Sequence, residues 1–184
     1  MLEPWKTLKT DVVFEVKPYF EIQKQVVALP GGKIVDDFYQ VHLRTFASIV
    51  PVMEDGRVLV LRHYKHGPGR VVLGVPAGFV DPGEAPLDGA KRELLEETGL
   101  VSEDWVSLGS YVDNGNQRGC RGHYFLARGC RKVQAADAGD LEEMQAVLMT
   151  PDEVDAAIRG GEFGVIHQAA NWAFARMELE RPGA

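Results

Sequence analysis

The chain has 184 residues, of which 45% are hydrophobic and 26% charged, with a formal net charge of −7. That length and composition suit one globular domain with a small accessory element, and an acidic balance without any basic run excludes a general nucleic-acid binder. No stretch approaches the roughly 18 apolar residues of a membrane span, and the opening MLEPWKTLKTD has no apolar leader core, so the reading is a cytoplasmic protein without a membrane partner.

The first predicted elements are short strands, Val12–Val16 and Gln23–Leu29, followed by a Pro30-Gly31-Gly32 turn and a third strand over Lys33–Arg44. A sheet this small is marginal alone and must pack on something. Ala47–Met53 and Arg57–Tyr64, joined by Glu54-Asp55-Gly56, read as the clearest hairpin in the chain. Gly69–Pro76 reads as a strand, and a helix is predicted over Leu87–Thr98. Trp105–Val112 and His123–Ala127 read as strands around a Gly-rich loop, Asp113–Gly122, and Ala146–Met149 as another strand. Thr150-Pro151-Asp152-Glu153 has the form of a helix start, with an N-cap, Pro at N1 and Glu at N3. That helix stops at Gly160-Gly161, and a last one runs from about Val165 to Glu180. Strands interleaved with helices predict an α/β fold whose mixed sheet is covered on both faces. Cys120 and Cys130 flank a strand and read as two reduced thiols, with a disulfide as the lesser reading. Trp5, Trp105 and Trp172 each sit in an amphipathic setting that suits packing better than base stacking, and the scattered histidines lack ligand spacing.

The helix over Leu87–Thr98 carries the chemistry. Glu93, Glu96 and Glu97 stand at i, i+3 and i+4, inside an arc of about 100° on one face. Leu87, Ala90, Lys91, Leu94 and Thr98 gather on the other side, and Leu94 and Leu95 are assigned to the core. Like charges at that spacing repel, and the only cation near them, Arg92, is expected at the edge of the cluster. Carboxylates held together against repulsion suit a hard divalent cation such as Mg²⁺. The bland alternative is a solvated acidic face. Upstream, Asp81-Pro82-Gly83 is a turn signal, and Gly78 permits close backbone approach. Glu84 lies where a pair with Arg92 would pin the loop to the helix, and Gly99 where a left-handed cap is expected.

The residues Gly78, Glu84, Arg92, Glu93, Glu96, Glu97, Gly99 and the aliphatic Leu100 match the Nudix box without a mismatch. The chain therefore resembles the Nudix hydrolases, over these residues strictly and over nearly all of its length more loosely. The resemblance implies an α/β/α sandwich with a mixed sheet, here preceded by a small antiparallel β element. It implies Mg²⁺, with Mn²⁺ as a substitute, held by Glu93, Glu97, Glu96 and the carbonyl of Ala77. Glu84, Arg92 and Gly99 would then be structural.

The segments LPGGKIVDDFYQVHLRTFASIVPV and VLRHYKHGPGRVVLGVPAGFVDPGE resemble the ADP-ribose and nucleoside-diphosphate-sugar pyrophosphatase branch. That branch implies hydrolysis of a nucleoside diphosphate linked to a sugar, giving a nucleoside monophosphate and a sugar phosphate. It also implies a homodimer made through residues 1–46, with residues 47–184 as the hydrolase domain. Arg44, Arg62, Lys65 and Gly78 are the substrate-binding candidates. Two departures bear on the substrate: Asp113-Asn114-Gly115-Asn116 stands where a proline is common in that branch, and Lys65 stands where many carry Arg. The general base implied is a glutamate on the loop Ala135–Gln145. Counting back from the following strand favours Glu142, with Glu143 and Asp140 as alternatives and Glu96 as the base used in other branches. Another nucleotide substrate (GDP-mannose or a dinucleotide) and a non-catalytic nucleotide-sugar sensor are the competing readings.

Overall fold

The structure is a computed structural model that describes residues 2–137 and 143–182. The chain divides into two compact units: residues 1–45 with 111–121, and residues 46–110 with 122–184.

The first unit is built on three antiparallel strands, β1 (Lys6–Val16), β2 (Phe20–Ala28) and β3 (Ile34–Leu43). The turn between β2 and β3 closes with the Leu29 N–H on the Lys33 carbonyl at 2.8 Å, and Gly31 and Gly32 supply positive φ. β1 is exposed along all of its length, including Leu8, Val12, Val13, Phe14 and Val16. β2, by contrast, is half-buried to buried. The Gly-rich stretch Asp113–Gly122, expected as a loop, is mostly strand, and residues 111–121 belong to this unit. They form the tip of a hairpin between β9 (Asp104–Asn114) and β10 (Arg118–Lys132). The Asn114 side chain accepts the N–H groups of Asn116 and Gln117, so a three-residue turn suffices and the strands run through.

The second unit has a mixed sheet. β10 runs parallel to β4 (Phe46–Met53) from Gly122 onward, and β4 meets β5 (Val58–Lys65) as a hairpin. β5 pairs antiparallel with both β6 (Arg70–Gly74) and β11 (Met144–Met149). The short strand β7 (Ala77–Phe79) lies antiparallel to β4, and β8 (Leu100–Val101) to β10. Neither short strand is visible as a period in the sequence.

β4 and β5 read as continuous apolar runs because both sheet faces are covered. Ala47, Ile49, Leu59 and Leu61 pack with Ala90 and Leu94 of α1 (Pro86–Thr98) on one face. Val50, Val52, Val58 and Val60 pack on the other face with Val154 and Ala157 of α2 (Pro151–Arg159) and Trp172 and Ala175 of α3 (Ile166–Leu179). This is the α/β architecture expected. The capping box at Thr150 and Glu153 has both of its reciprocal hydrogen bonds. Both cysteines are free thiols. Among the described residues no helix is long and apolar enough to cross a membrane.

Candidate active site

The site is built from the segment 74–84 and the helix that follows it. Pro86 at the first turn and Gly99 at the end set the limits of α1; Gly99 adopts φ 72° and its N–H donates to the Leu95 carbonyl at 2.8 Å. A Cβ on Gly99 would run into the backbone carbonyl of Gln134, so glycine is required there for space as well as for conformation. Gly89, though buried, lies on the glutamate side against Glu84, while Ala90, Leu94 and Thr98 form the buried face. Lys91, expected on that side, is exposed, and Leu95 is half-buried rather than core. At 100° per residue both lie on the flanks of the stripe, where the long lysine chain can reach water.

The opposite face presents the glutamates. Arg92 does not stand at the edge of the cluster: its guanidinium is the centre of it. Nε and Nη2 donate to Glu84 Oε1 and Oε2 at 3.0 and 3.1 Å, a two-bond fork across eight residues of chain. Nη1 donates to Glu93 at 2.6 Å and to Glu96 at 3.1 Å, and Nη2 also reaches the Phe79 carbonyl at 2.9 Å. Glu84 in turn accepts the Asp81 N–H at 2.9 Å, so a single guanidinium ties the turn to the helix. The hydrogen bonds from Arg92 and then from the Asp81 backbone hold the Glu84 carboxyl below its ordinary value. The Glu84 bond also raises the Arg92 guanidinium, which stays charged.

Glu93 and Glu97 are held by the strand. The Ala77 N–H donates to Glu97 Oε2 at 3.0 Å. The Glu93 carboxylate fills the space over Gly78 that any Cβ there would occupy. A side chain at position 78 would displace the Glu93 carboxylate from the segment 77–78.

A divalent metal suits the donor chemistry. Glu84, Glu93 and Glu96 share the one guanidinium of Arg92 and Glu97 takes the Ala77 N–H, leaving an excess of hard oxygen donors and of negative charge. Glu93 is only 13% exposed in its side chain, and Gly78 opens a cradle for it. With Arg92 between Glu93 and Glu96, no three His, Cys, Asp or Glu side chains among the described residues converge on one point.

The other candidates are scattered. Arg62 alternates with Leu61 on β5 and so shares the face of Val58 and Val60, away from α1; its guanidinium lies 3.5 Å from Glu162. It is not brought to the glutamates, because one residue along a strand reverses the face. Lys65 falls on the face of Leu59 and Leu61, at the end of β5. Arg44 belongs to the first unit. Glu142 and Asp140 lie outside the described residues. Just before them, the Asp137 N–H donates to the Glu96 carbonyl at 2.8 Å, so the chain leaves from beside the box helix; Glu143, just after, is exposed. Desolvation pushes the Cys120 and Cys130 thiols up to about 12, which suits no nucleophile.

The sequence reading missed a buried polar group behind the same segment, Ser48, Gln168 and Asn171. Single polar residues inside apolar runs were its only sign. It also missed a pocket in the first unit of about 310 Å³, lined by Trp5, Phe38, Gln25, Gln40 and Asn116 among others. Trp5 and Phe38 meet edge to face at 5.7 Å.

The sequence pattern of the NUDIX domain matches residues 42–168. ADP-ribose pyrophosphatase of Mycobacterium tuberculosis is 34% identical over 123 residues, 65% of this chain and 58% of that protein's own length. The methanol dehydrogenase activator of Bacillus methanolicus is 27% identical over 149 residues, 80% of each chain. A solved structure of an ADP compounds hydrolase superimposes with a TM-score of 0.81, covering 100% of this chain and 98% of that one at 19% identity, which shows a shared fold.

Proposed function

This chain belongs to the Nudix family, and from that premise we propose that it hydrolyses the pyrophosphate bond of an ADP-linked sugar such as ADP-ribose, with Mg²⁺ as cofactor. Water adds to one phosphorus, the bridging P–O bond breaks, and AMP and a sugar phosphate leave. The observation that carries this reading is the carboxylate cradle, with Glu93 over Gly78 and Glu97 on the Ala77 N–H. The names of the Mycobacterium relative and of the superimposed hydrolase favour an ADP compound. The activator role named for the Bacillus relative stays with that protein.

Glu93, Glu97, Glu96 and the Ala77 carbonyl would hold the cation, with Mn²⁺ as a substitute. Bound there, it would supply charge neutralisation at the phosphate oxygens and a more acidic water. The chain's own residues do the rest. Arg92 and Glu84 keep the turn against the helix and limit the repulsion that would splay Glu93 from Glu96. Gly78 gives Glu93 its place beside the backbone, and the Gly78 backbone, Lys65, Arg62 and Arg44 are substrate contacts. Glu142 takes the proton from the attacking water, with Glu143, Asp140 and Glu96 as the alternatives. The working form is a homodimer made through residues 1–46: β1 leaves Leu8, Val12, Val13, Phe14 and Val16 exposed on an edge strand, a surface that a second copy would cover.

The test is a panel of ADP-ribose, ADP-glucose, GDP-mannose and a dinucleoside polyphosphate, each with titrated Mg²⁺, read as phosphate released by a coupled phosphatase. ADP-sugars should be preferred at least tenfold. Preference for GDP-mannose or the dinucleotide moves the substrate within the family. Binding without turnover of any of them leaves the sensor reading.

A further inference from the structure

The segment 74–78 is gripped from both sides, and only one grip belongs to the box. On the α1 side are Glu97 on the Ala77 N–H and Glu93 over Gly78. On the other side is a buried polar group from α3. Asn171, fully buried, donates through Nδ2 to Ser48 Oγ at 2.9 Å. Ser48, also fully buried, sits opposite Ala77 in the β4–β7 ladder. Gln168, 3% exposed, donates through Nε2 to the Val75 carbonyl at 3.4 Å. Its amide fills the place a Cβ on Gly74 would take. Between these contacts the Ile49 N–H holds the Pro76 carbonyl at 2.9 Å.

This group is poorly designed for stability. Among the described residues, Gln168 Oε1 and Asn171 Oδ1 are buried without a hydrogen-bond donor. Unmet buried acceptors weaken a fold, and apolar residues of similar shape would pack in their place with little loss. What the amides do provide is direction: they reach backbone and hydroxyl positions that leucine or methionine would leave unbound.

We infer that Ser48, Gln168 and Asn171 are positioning residues that set the height of the Ala77–Gly78 backbone against the box glutamates, and so tune cation affinity from the far side of the sheet. As far as it concerns the cation, the inference rests on the proposed function. None of the three touches the glutamates; they act through residues 74–77.

The experiment replaces both members of one bond, S48A/N171L, so that no partner is left behind. Three quantities are read on the full chain: melting temperature, Mn²⁺ affinity by calorimetry, and amide hydrogen exchange at Ala77. The inference expects melting within a few degrees of the parent, Mn²⁺ binding weakened about tenfold or more, and exchange at Ala77 about tenfold faster. Exchange at Ala77 and Mn²⁺ affinity both within twofold of the parent would overturn it. Should the double variant not fold, Q168M decides by the same readings, with at least a threefold change in each expected and an unchanged pair overturning the inference. If the parent itself neither binds Mn²⁺ nor hydrolyses an ADP compound, the proposed function has failed, and exchange at Ala77 alone tests the grip.

Discussion

The N–H of Ala77 donates to Oε2 of Glu97 at 3.0 Å, across twenty residues of chain. One carboxylate oxygen is therefore fixed by the strand that precedes the helix. The same contact makes the strand and the carboxylate answer to each other, so a change on either side is felt at the site.

Glu97→Gln tests the carboxylate without removing the tie. Glutamine is a comparable helix former and its amide oxygen still accepts the Ala77 N–H. The fold should be kept, while turnover with Mg²⁺ falls by about three orders of magnitude, the scale of a lost contribution of about 4 kcal/mol. Steady-state kinetics beside a circular dichroism melt checks both halves. Turnover within tenfold of the parent would mean the cluster is a solvated face.

Gly78→Ala tests the cradle. The added methyl would take the place of the Glu93 carboxylate, the far end of a flexible side chain that can turn away. The melting temperature should change little, while the Mg²⁺ concentration for half-maximal activity should rise. If that concentration matches the parent, Glu93 does not need that space.

Acid should remove the Glu84 contribution in a defined direction. Arg92 holds the Glu84 carboxyl below its ordinary value of 4.5. A group with a lowered folded pKa stabilises the fold fully above its unfolded value, and the contribution is lost as pH falls through the lowered one. The urea midpoint of the parent should therefore exceed that of Glu84→Gln at neutral pH, with the gap closing only below about 4.5. A gap that persists unchanged at the acid limit would show that packing, rather than the charge, carries the effect.

Glu142→Gln addresses the base. Loss of a general base lowers turnover by roughly 10²–10⁴-fold with cation affinity little changed. A silent Glu142→Gln with a crippled Glu143→Gln or Glu96→Gln would move the role to that residue and leave the reaction class intact.

Assembly is read from mass. An edge strand exposing Leu8, Val12, Val13, Phe14 and Val16 should be paired in solution, so light scattering at micromolar concentration should give twice the 20.3 kDa of one chain. A mass near 20.3 kDa sinks the dimer and any site shared across it.

Local signals were legible in the sequence because short-range physics sets them. The end of α1 at Gly99, the capping box at Thr150, and the hairpin at Glu54-Asp55-Gly56 depend on neighbours a few residues away. So does the glutamate face itself, which helical spacing alone assembles. The tertiary structure decided everything that needs a partner far along the chain. It moved Arg92 from the margin of the cluster to its centre, since the guanidinium that pairs with Glu84 as expected also turns to Glu93, Glu96 and the Phe79 carbonyl. It set Arg62 on the α2–α3 face of β5 rather than the face that packs on α1, a matter of one residue in strand register. It extended β9 and β10 through a stretch whose glycines read as loop, because an Asn114 side chain closes the turn. Ser48, Gln168 and Asn171 lie more than a hundred residues apart at their extremes, and no periodicity links them. Burial and hydrogen bonding across a sheet are what make those residues a group, and a linear pattern records neither.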